Sequence, residues 1–375
     1  MPLKNFMEAK MHVPYVDLGS QWLAIKDRAL PKISEVLESG KYLEHPVIGA
    51  LEERIANRLG VKFATSVNSG TDALIFALVA LGVTRGDEVI TVPNSFIASV
   101  SAIEHIGATT VFVDVGPDHL IDTELIEQVI TPRTKAIMPV HLEGKMADMV
   151  AINRIAKKHG LMVIEDAAQA FGSKFFDYQP GNLSDVACFS FHPLKNLNAA
   201  GDGGLVVTNN YNLIEKVNIL KNHGQVSRNV SHKFGFVSRL DSLQAAILNV
   251  KLDDIDSIIT RRSLTAETYE SNLVNCNIQC PIISSGLFHS YHLYVVEVDN
   301  RDHIQEALKI AGIETKIHYP TLITDQIAYT SKYPKAKWDL PVARKQCQMI
   351  LSLPIHENLR ESQINYVSDQ VRKLL

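Results

Sequence analysis

The sequence predicts an α/β protein with a large domain, built on a mainly parallel seven-stranded sheet covered by helices, and a smaller C-terminal α/β domain. Short apolar or β-rich runs alternate with helical segments between residues 64 and 208. The chain has 375 residues, of which 46% are hydrophobic and 21% are charged, and this composition suits roughly two globular domains. Beyond Asn275 the regular alternation gives way to separate strands and helices.

Two helices are predicted before the alternation begins. Residues 20–39 carry apolar side chains near helical spacing, and Gly40 ends the segment. A second helix is expected from residue 47 to residue 58, and Gly60 closes it.

The alternating part of the chain predicts the sheet. Its strands are expected at residues 64–67, 88–92, 110–113, 136–140, 162–164, 186–189 and 205–208. The helices between them are expected at residues 71–81, 96–106, 123–129 and 147–159. Short strands that alternate with helices imply parallel pairing with helices on both faces. In such sheets ligands bind where strands end and helices begin.

The rest of the chain predicts a second domain. Its helices are expected at residues 253–273, 302–311, 341–350 and 361–374, and its strands at 291–298 and 315–318. Two further helices, at residues 213–222 and 240–251, are expected at the end of the large domain. We divide the chain into a large domain of residues 1–252 and a small domain of residues 253–375. No linker rich in Pro, Gly or Ser separates them, so we expect both to share a long helix.

Composition and charge exclude several classes of protein. The net charge of −4 gives no broad basic surface for nucleic acid. The first residues lack the apolar core of a signal peptide, and no apolar run is long enough to span a bilayer, so we expect a cytoplasmic protein. No His/Cys cluster accompanies the four cysteines, which predicts reduced thiols and no metal site.

One lysine, Lys195, lies between two predicted strands in the stretch SFHPLKNLNAAGDGG, residues 190–204. A lysine placed there is partnered, desolvated or reactive. Burial disfavours the ammonium, so the pKa falls and the free amine becomes a nucleophile for a carbonyl or for pyridoxal phosphate (PLP). Taken alone, a solvated loop lysine explains the same pattern.

Three more groups of residues stand at strand ends. Residues 69–71 open a helix and fit either a phosphate site or an ordinary N-cap by Ser69 or Thr71. Asp166 ends a buried strand and fits a partner for a protonated pyridine nitrogen, a helix N-cap or a structural salt bridge. Phe96 fits either a ring that stacks on a flat cofactor or a core residue.

The order of these groups favours one interpretation. A phosphate-type turn, an aromatic residue, a carboxylate and a lysine follow one another on one predicted sheet, each at a strand end. Together they match a PLP site, in which the four groups bind the phosphate, stack on the ring, pair with the pyridine nitrogen and form the Schiff base.

The chain resembles the DegT-type sugar aminotransferases of the aspartate aminotransferase superfamily (PLP fold type I), and the resemblance covers almost its whole length. In chain order the motifs that carry it are SGKYLEHPVIGALEERIANRLG, NSGTDAL, VPNSF, PVHLEG, IEDAAQAFGS, FSFHPLKNL, GDGG, KNHG, SRLDSLQAAIL, IHYP and LSLPI.

The resemblance implies a role for individual residues. Lys195 would hold PLP and move protons, Asp166 would pair with the pyridine nitrogen, and Gln169 would contact the ring hydroxyl. The cofactor-binding set that it implies is Ser69, Gly70, Thr71, Phe96, Asp166, Gln169, Ser190 and Lys195. The substrate-facing set that it implies is His192, Asn196, Arg239, His318, Tyr319 and Gln326.

The resemblance also implies an activity. PLP, cycling with pyridoxamine phosphate (PMP), would carry an amino group from glutamate to a nucleotide-linked 3-keto-6-deoxy sugar. The GDGG turn resembles enzymes that act at C-3 of the sugar more than those that act at C-4. We expect a homodimer with the active site at the subunit interface and residues near Arg239 facing the partner's cofactor.

Three positions depart from the family pattern. Val237 stands where relatives commonly carry an asparagine that reaches the phosphate of the neighbouring subunit. Either the other phosphate ligands compensate, or Ser238 or Asn222 supplies the donor. Thr324 and His45 replace a common His and Gly toward the sugar, which predicts an unusual acceptor.

Two alternatives to the aminotransferase remain open. A PLP/PMP-dependent sugar dehydratase of the same fold typically has His at the position of Lys195, so the lysine argues against it. A regulatory protein that has kept the fold would be supported by an added DNA-binding domain or a basic face, and the sequence has neither.

Overall fold

The structure, a computed structural model, describes residues 11–375 of the chain. Its strands are β1 (Phe63–Val67), β2 (Glu88–Thr91), β3 (Thr109–Phe112), β4 (Thr134–Ile137), β5 (Met162–Asp166), β6 (Lys174–Phe175), β7 (Val186–Ser190), β8 (Gly204–Thr208), β9 (Gln225–Ser227), β10 (Val230–Ser231), β11 (Leu287–Phe288), β12 (Tyr294–Glu297) and β13 (Ile350–Leu353). Its α-helices are α1 (Leu18–Ser39), α2 (Val47–Leu59), α3 (Gly70–Ala80), α4 (Ile97–His105), α5 (Thr123–Ile126), α6 (Met149–His159), α7 (Tyr211–Leu220), α8 (Ser242–Leu273), α9 (Arg301–Ile310), α10 (Ile327–Lys332), α11 (Pro341–Met349) and α12 (Glu361–Leu374).

The large sheet confirms the predicted fold class. Its seven strands lie in the order β1-β8-β7-β5-β4-β2-β3. β8 is antiparallel to both of its neighbours, and every other neighbouring pair is parallel. Six strands therefore run in one direction and β8 runs in the other.

Helices cover both faces of this sheet. Because side chains alternate along a strand, Cys188 and Val206 face a buried cluster shared with α3 and α7. Phe189 and Leu205 face a second cluster, which α2 and α8 close from the other side. The central strands β2, β5, β7 and β8 are mostly apolar because both of their faces are buried.

The long helix α8 spans the predicted domain boundary. Position 252, where we place the domain boundary, lies inside this unbroken helix. The boundary itself remains a prediction. Val13, which precedes α1, also packs onto the C-terminal part: it bridges Ile313 and shares a buried cluster with Tyr294 and Leu351.

Two predictions of the C-terminal part need correction. Residues 315–318 do not form a strand, because only Lys316 pairs with a neighbour, Ser352, before the chain bends at His318 and Pro320. The strand β13 follows α11 directly and pairs with β12, although the sequence was assigned only the helix there. No helix among residues 11–375 is long and apolar enough to cross a membrane.

The reversed strand β8 places a glycine at a crowded point. Gly204 pairs with Val67 at the end of β1 and with Ser190 at the end of β7. A Cβ atom on Gly204 would lie 2.2 Å from the carbonyl oxygen of Ser69, so only glycine lets the three backbones approach this closely.

We predict that Gly204→Ala destabilises the protein by about 1–3 kcal/mol, because the added methyl group meets backbone that cannot move aside. The free energy of unfolding in denaturant measures this. Gly49→Ala is the matched control: a Cβ atom at this exposed position in α2 meets nothing within 4 Å, so the variant should be neutral or more stable by about 0.5–1 kcal/mol. An unchanged stability of Gly204→Ala would contradict the packing argument.

Candidate functional site

A cavity of about 410 Å³ opens at the carboxyl edge of the sheet. It brings together most of the residues that the sequence singled out, although they lie up to 250 positions apart along the chain. The members of both predicted sets that line it are Ser69, Gly70, Thr71, Phe96, Asp166, Gln169, Ser190, His192, Lys195, His318 and Tyr319.

One wall of the cavity is a helix N-terminus. Ser69 caps α3, because its hydroxyl accepts a hydrogen bond from the amide of Asp72 at 3.1 Å. The amides of Gly70 and Thr71 find no acceptor within residues 11–375, as is usual in the first turn of a helix. Gly70 lies against Ser190, since a Cβ atom at Gly70 would be 2.8 Å from that of Ser190. Free amides, a helix dipole and a hydroxyl form a natural phosphate site.

Lys195 lies in the loop between β7 and β8. Burial lowers its pKa to about 8, although Asp166 acts in the opposite direction. Within the described chain its ammonium nitrogen makes no hydrogen bond or ion pair, and part of the side chain stays open to the cavity. A desolvated amine without a partner is suited to attack a carbonyl carbon.

The two acids at the end of β5 point to opposite faces of the sheet. The carboxylate of Asp166 lies at the cavity, where it accepts hydrogen bonds from the hydroxyl of Ser99 at 2.7 Å and the amide of Ala168 at 3.1 Å. Glu165 is fully buried on the other side and pairs with His141 at 2.6 Å. Strand alternation therefore gives Asp166 to the site and Glu165 to the core.

Gln169 and two aromatic rings form another part of the cavity. The side-chain oxygen of Gln169 accepts from the amide of Glu143 at 2.7 Å, and its nitrogen donates to the hydroxyl of Tyr319 at 3.2 Å. The ring of Phe96 is 55% exposed, and its centroid lies 5.7 Å from that of Tyr319. An exposed ring at a cavity mouth can stack on a flat ligand.

Two histidines of the cavity, His318 and His192, have lowered pKa values. Burial and the charge of Lys195 lower the pKa of His318 to about 4 and lower the pKa of His192 as well. The Nδ1 atom of His318 is bonded to the hydroxyl of Ser352 at 2.8 Å, which leaves its other nitrogen for a ligand. Neutral imidazoles offer hydrogen bonds to a sugar without adding positive charge beside Lys195.

Three residues of the predicted substrate-facing set do not line the cavity of the single chain. Asn196 is buried and donates to the carbonyl oxygen of Ser290 at 2.9 Å. Gln326 is exposed, and its carbonyl oxygen begins α10. Arg239 is half-buried beside Lys221. Their contacts with substrate remain predictions.

The positions that depart from the family pattern are also outside the cavity lining. Val237 is 57% exposed, whereas Ser238 is fully buried and its hydroxyl accepts from the amide of Asn68 at 3.2 Å. Because Ser238 is buried and its hydroxyl is occupied, it is poorly placed to supply the missing donor. The roles of Asn222 and of the other phosphate ligands remain predictions. Thr324 is buried, and His45 is half-buried at the start of α2.

Several cavity residues belong to neither of the sets predicted from the sequence. Ser99 lies in the first turn of α4, three residues after Phe96. This helical spacing could have indicated that Ser99 faces the same cavity as Phe96. Tyr15, Arg262 and His292 also line the cavity, but they come from the chain start and the C-terminal part, where no local pattern marked them.

The donor set fits PLP. The free amides after Ser69 suit a phosphate, Asp166 suits a pyridinium, and the unpartnered amine of Lys195 suits an aldehyde carbon. Among residues 11–375, no group of three or more His, Cys, Asp or Glu side chains could hold a metal ion.

This fold and cavity define a class of α/β enzymes that hold a cofactor by a lysine at the carboxyl edge of a sheet. The chain belongs to the DegT/DnrJ/EryC1/StrS aminotransferase family, which matches residues 24–372.

Several relatives are similar over nearly their whole length. The UDP-2-acetamido-2-deoxy-3-oxo-D-glucuronate aminotransferase of Pseudomonas aeruginosa is 41% identical over 95% of this chain and 98% of its own. DesV of S. venezuelae, solved in complex with a ketimine intermediate, is 40% identical with a TM-score of 0.94 over 97% of this chain and 98% of its own. NtdA of Bacillus subtilis, solved with bound PMP, is 31% identical with a TM-score of 0.90 over 96% of this chain and 84% of its own.

We predict that Asp166→Asn lowers the rate of amino transfer by roughly 10- to 1000-fold while the cofactor still binds. A nearby carboxylate raises the pKa of a pyridinium by about 1–3 units, and the amide loses this effect. Steady-state kinetics and the visible absorbance of the bound cofactor measure the two parts. Glu165→Gln is the matched control, since this acid faces the core: it should lower stability and leave the rate within about threefold. A near-normal rate in Asp166→Asn would rule the role out.

Proposed function

We propose that this chain is a PLP-dependent aminotransferase that moves an amino group, with glutamate as donor, to the 3-keto group of a nucleotide-linked sugar. The observation that carries the proposal is the unpartnered, desolvated amine of Lys195 in a cavity that also holds Asp166 and the free amides of α3. Membership of an aminotransferase family agrees with this chemistry. Its location in the cytoplasm stays a prediction from the sequence.

The residues divide the work by position. Ser190 and the amides of Gly70 and Thr71 would bind the phosphate, and Asp166 would keep the ring nitrogen protonated. PLP supplies an electron sink for the bond that breaks at Cα of the amino donor. Lys195 would hold the cofactor before the reaction and afterwards carry the proton away from that Cα through its free amine.

Sugar chemistry is supported by the cavity and by the relatives. Neutral His318 and the hydroxyl of Tyr319 line the same cavity as Lys195 and can bond sugar hydroxyls. The Pseudomonas aeruginosa relative is named for a 3-oxo sugar linked to UDP. We therefore propose a 3-keto sugar as the acceptor. Amination assays with different sugar nucleotides identify the nucleotide and the group at C-6.

We also propose a homodimer whose active site is completed in trans. Leu23, Leu30 and Leu37 on α1 are 63%, 52% and 48% exposed and recur every seven residues, so they form one apolar stripe on the helix. Phe234, near the hairpin of β9 and β10, is fully exposed as well. Exposed apolar side chains in such a stripe are typical of a protein–protein interface. We propose that a second copy of the chain packs against it.

The test of the function is the amination of keto sugars by the purified protein. We expect UDP- or dTDP-linked 3-keto sugars to be aminated with glutamate as donor, and Lys195→Ala to lower the rate by about 1000-fold or more. Borohydride reduction of the loaded protein should attach the cofactor to Lys195.

Lys251 provides the matched control for this test. Burial lowers its pKa to about 8, as for Lys195, but it bonds the side chain of Asn198 at 2.6 Å and does not line the cavity. Lys251→Ala should aminate the sugar at a rate within about tenfold of the wild type, and borohydride should still attach the cofactor to Lys195. Amination by Lys195→Ala at the wild-type rate, or a label on Lys251, would refute the assignment.

For the dimer, we predict that Leu30→Glu weakens self-association by about 30-fold or more, because a charge enters the apolar stripe. Sedimentation velocity across micromolar concentrations measures this change. Leu264→Glu is the matched control, since Leu264 is 56% exposed on α8 and lies outside the stripe. A wild-type monomer that is active would contradict the proposal.

A further inference from the structure

A buried group of four charged side chains lies behind the cavity, and the mechanism above does not use it. We call His119, Glu143, Lys145 and Glu297 the charge cluster. The ammonium of Lys145 lies 2.8 Å from Glu143, and the two ring nitrogens of His119 lie 2.6 Å from Glu143 and 2.9 Å from Glu297. Lys145, Glu143 and His119 are at most 6% exposed.

The charges of the cluster are fixed by its geometry. Each ring nitrogen of His119 faces a carboxylate oxygen, so both must donate, and only the protonated imidazolium has two N–H groups. Burial alone would lower the pKa of His119, but the neighbouring Glu143 raises it above the ordinary value. Two positive and two negative groups then balance, which makes the burial tolerable.

Glu143 joins this cluster to the cavity through its backbone. Its amide donates to the side-chain oxygen of Gln169 at 2.7 Å, so the nitrogen of that side chain must face the hydroxyl of Tyr319 at 3.2 Å. A glutamine amide has nearly the same shape after a flip, and only a fixed donor or acceptor decides its orientation. The amide of Glu143 is that donor, and Gln169 and Tyr319 both line the cavity.

The backbone of Glu143 needs the cluster to hold it. Its φ of 66° is left-handed, a conformation that a residue with a Cβ atom rarely adopts. One oxygen of its carboxylate pairs with Lys145, and the other pairs with His119. Lys145 is held in turn by the carbonyl oxygen of Asp118 at 2.6 Å. These contacts keep the turn at residues 142–144 in the shape that aims its amide at Gln169.

We propose that Glu143, held by His119 and Lys145, is a positioning residue that fixes the orientation of the Gln169 amide in the active site. Gln169 then presents N–H groups, and not its oxygen, to Tyr319 and to the ligand in the cavity. This inference rests on the proposed function, because the ligand that Gln169 meets there is the cofactor.

The test compares Glu143→Gln, Gln169→Leu and the double variant in the cofactor-loaded protein. Glu143→Gln keeps the shape of the side chain and removes its charge. We expect it to lower kcat by about 10-fold, to leave KM for the amino donor within about twofold, and to shift the pH midpoint of the cofactor's visible absorbance in the same direction as Gln169→Leu. If Glu143 acts through Gln169, the double variant matches Gln169→Leu alone.

Glu165→Gln is the control, because it breaks a buried Glu–His pair at the same edge of the sheet without touching Gln169. It should lower the Tm and leave the absorbance midpoint unchanged. If Glu143→Gln fails to fold, Lys145→Met takes its place in the same measurements of kcat and of the absorbance midpoint. This variant leaves Glu143 paired with His119.

Two results would overturn the inference: an absorbance midpoint in the folded variant equal to that of the wild type, or losses of kcat that multiply in the double variant. A wild-type protein in which borohydride attaches no cofactor to Lys195 is a different result, because it refutes the proposed function itself.

Discussion

The cavity at the carboxyl edge of the sheet depends on the reversal of one strand. Because β8 is antiparallel to β1 and β7, its first residue lies at the carboxyl ends of both. Gly204 is that residue, and the absence of a side chain lets the carbonyl of Ser69 approach to within contact distance. The start of α3, Ser190 and the loop that carries Lys195 are thereby drawn around one cavity. In a wholly parallel sheet the first residue of β8 would lie at the amino ends of β1 and β7, away from the cavity.

A comparison of three buried lysines shows why Lys195 suits the role that we propose for it. Lys145 is more deeply buried than Lys195, but an ion pair and a carbonyl oxygen bind its ammonium. Lys251 has a pKa lowered to about 8, but Asn198 binds it away from the cavity. Lys195 alone of these three combines a lowered pKa, an amine without a partner and an open cavity. Reactivity therefore follows from what surrounds the amine and not from burial alone.

The site is built from both parts of the chain. Asp166 and Ser190 end strands of the sheet, and Lys195 lies in the loop between β7 and β8. His318 and Tyr319 come from the C-terminal part and line the same cavity. Hydrogen bonds join the two parts at the site, since Gln169 bonds Tyr319 and Asn196 bonds Ser290. The division near residue 252 lies inside α8, and a stiff helix shared by both parts is consistent with a cavity that is already formed in the single chain.

The sequence by itself determined the fold class and the residues at the ends of the parallel strands. Apolar runs and helical spacing are local properties, and strand ends of a parallel sheet meet at one edge, so Asp166, Phe96 and Lys195 could be assigned to one site before the structure was known. Only the tertiary structure decided contacts between distant segments. It turned Glu165 toward His141, paired Ser99 with Asp166, and ended the pairing of residues 315–318 after one bridge. It also set the orientation of Gln169 through the amide of Glu143, because a hydrogen bond between segments 26 residues apart leaves no periodic trace in the sequence.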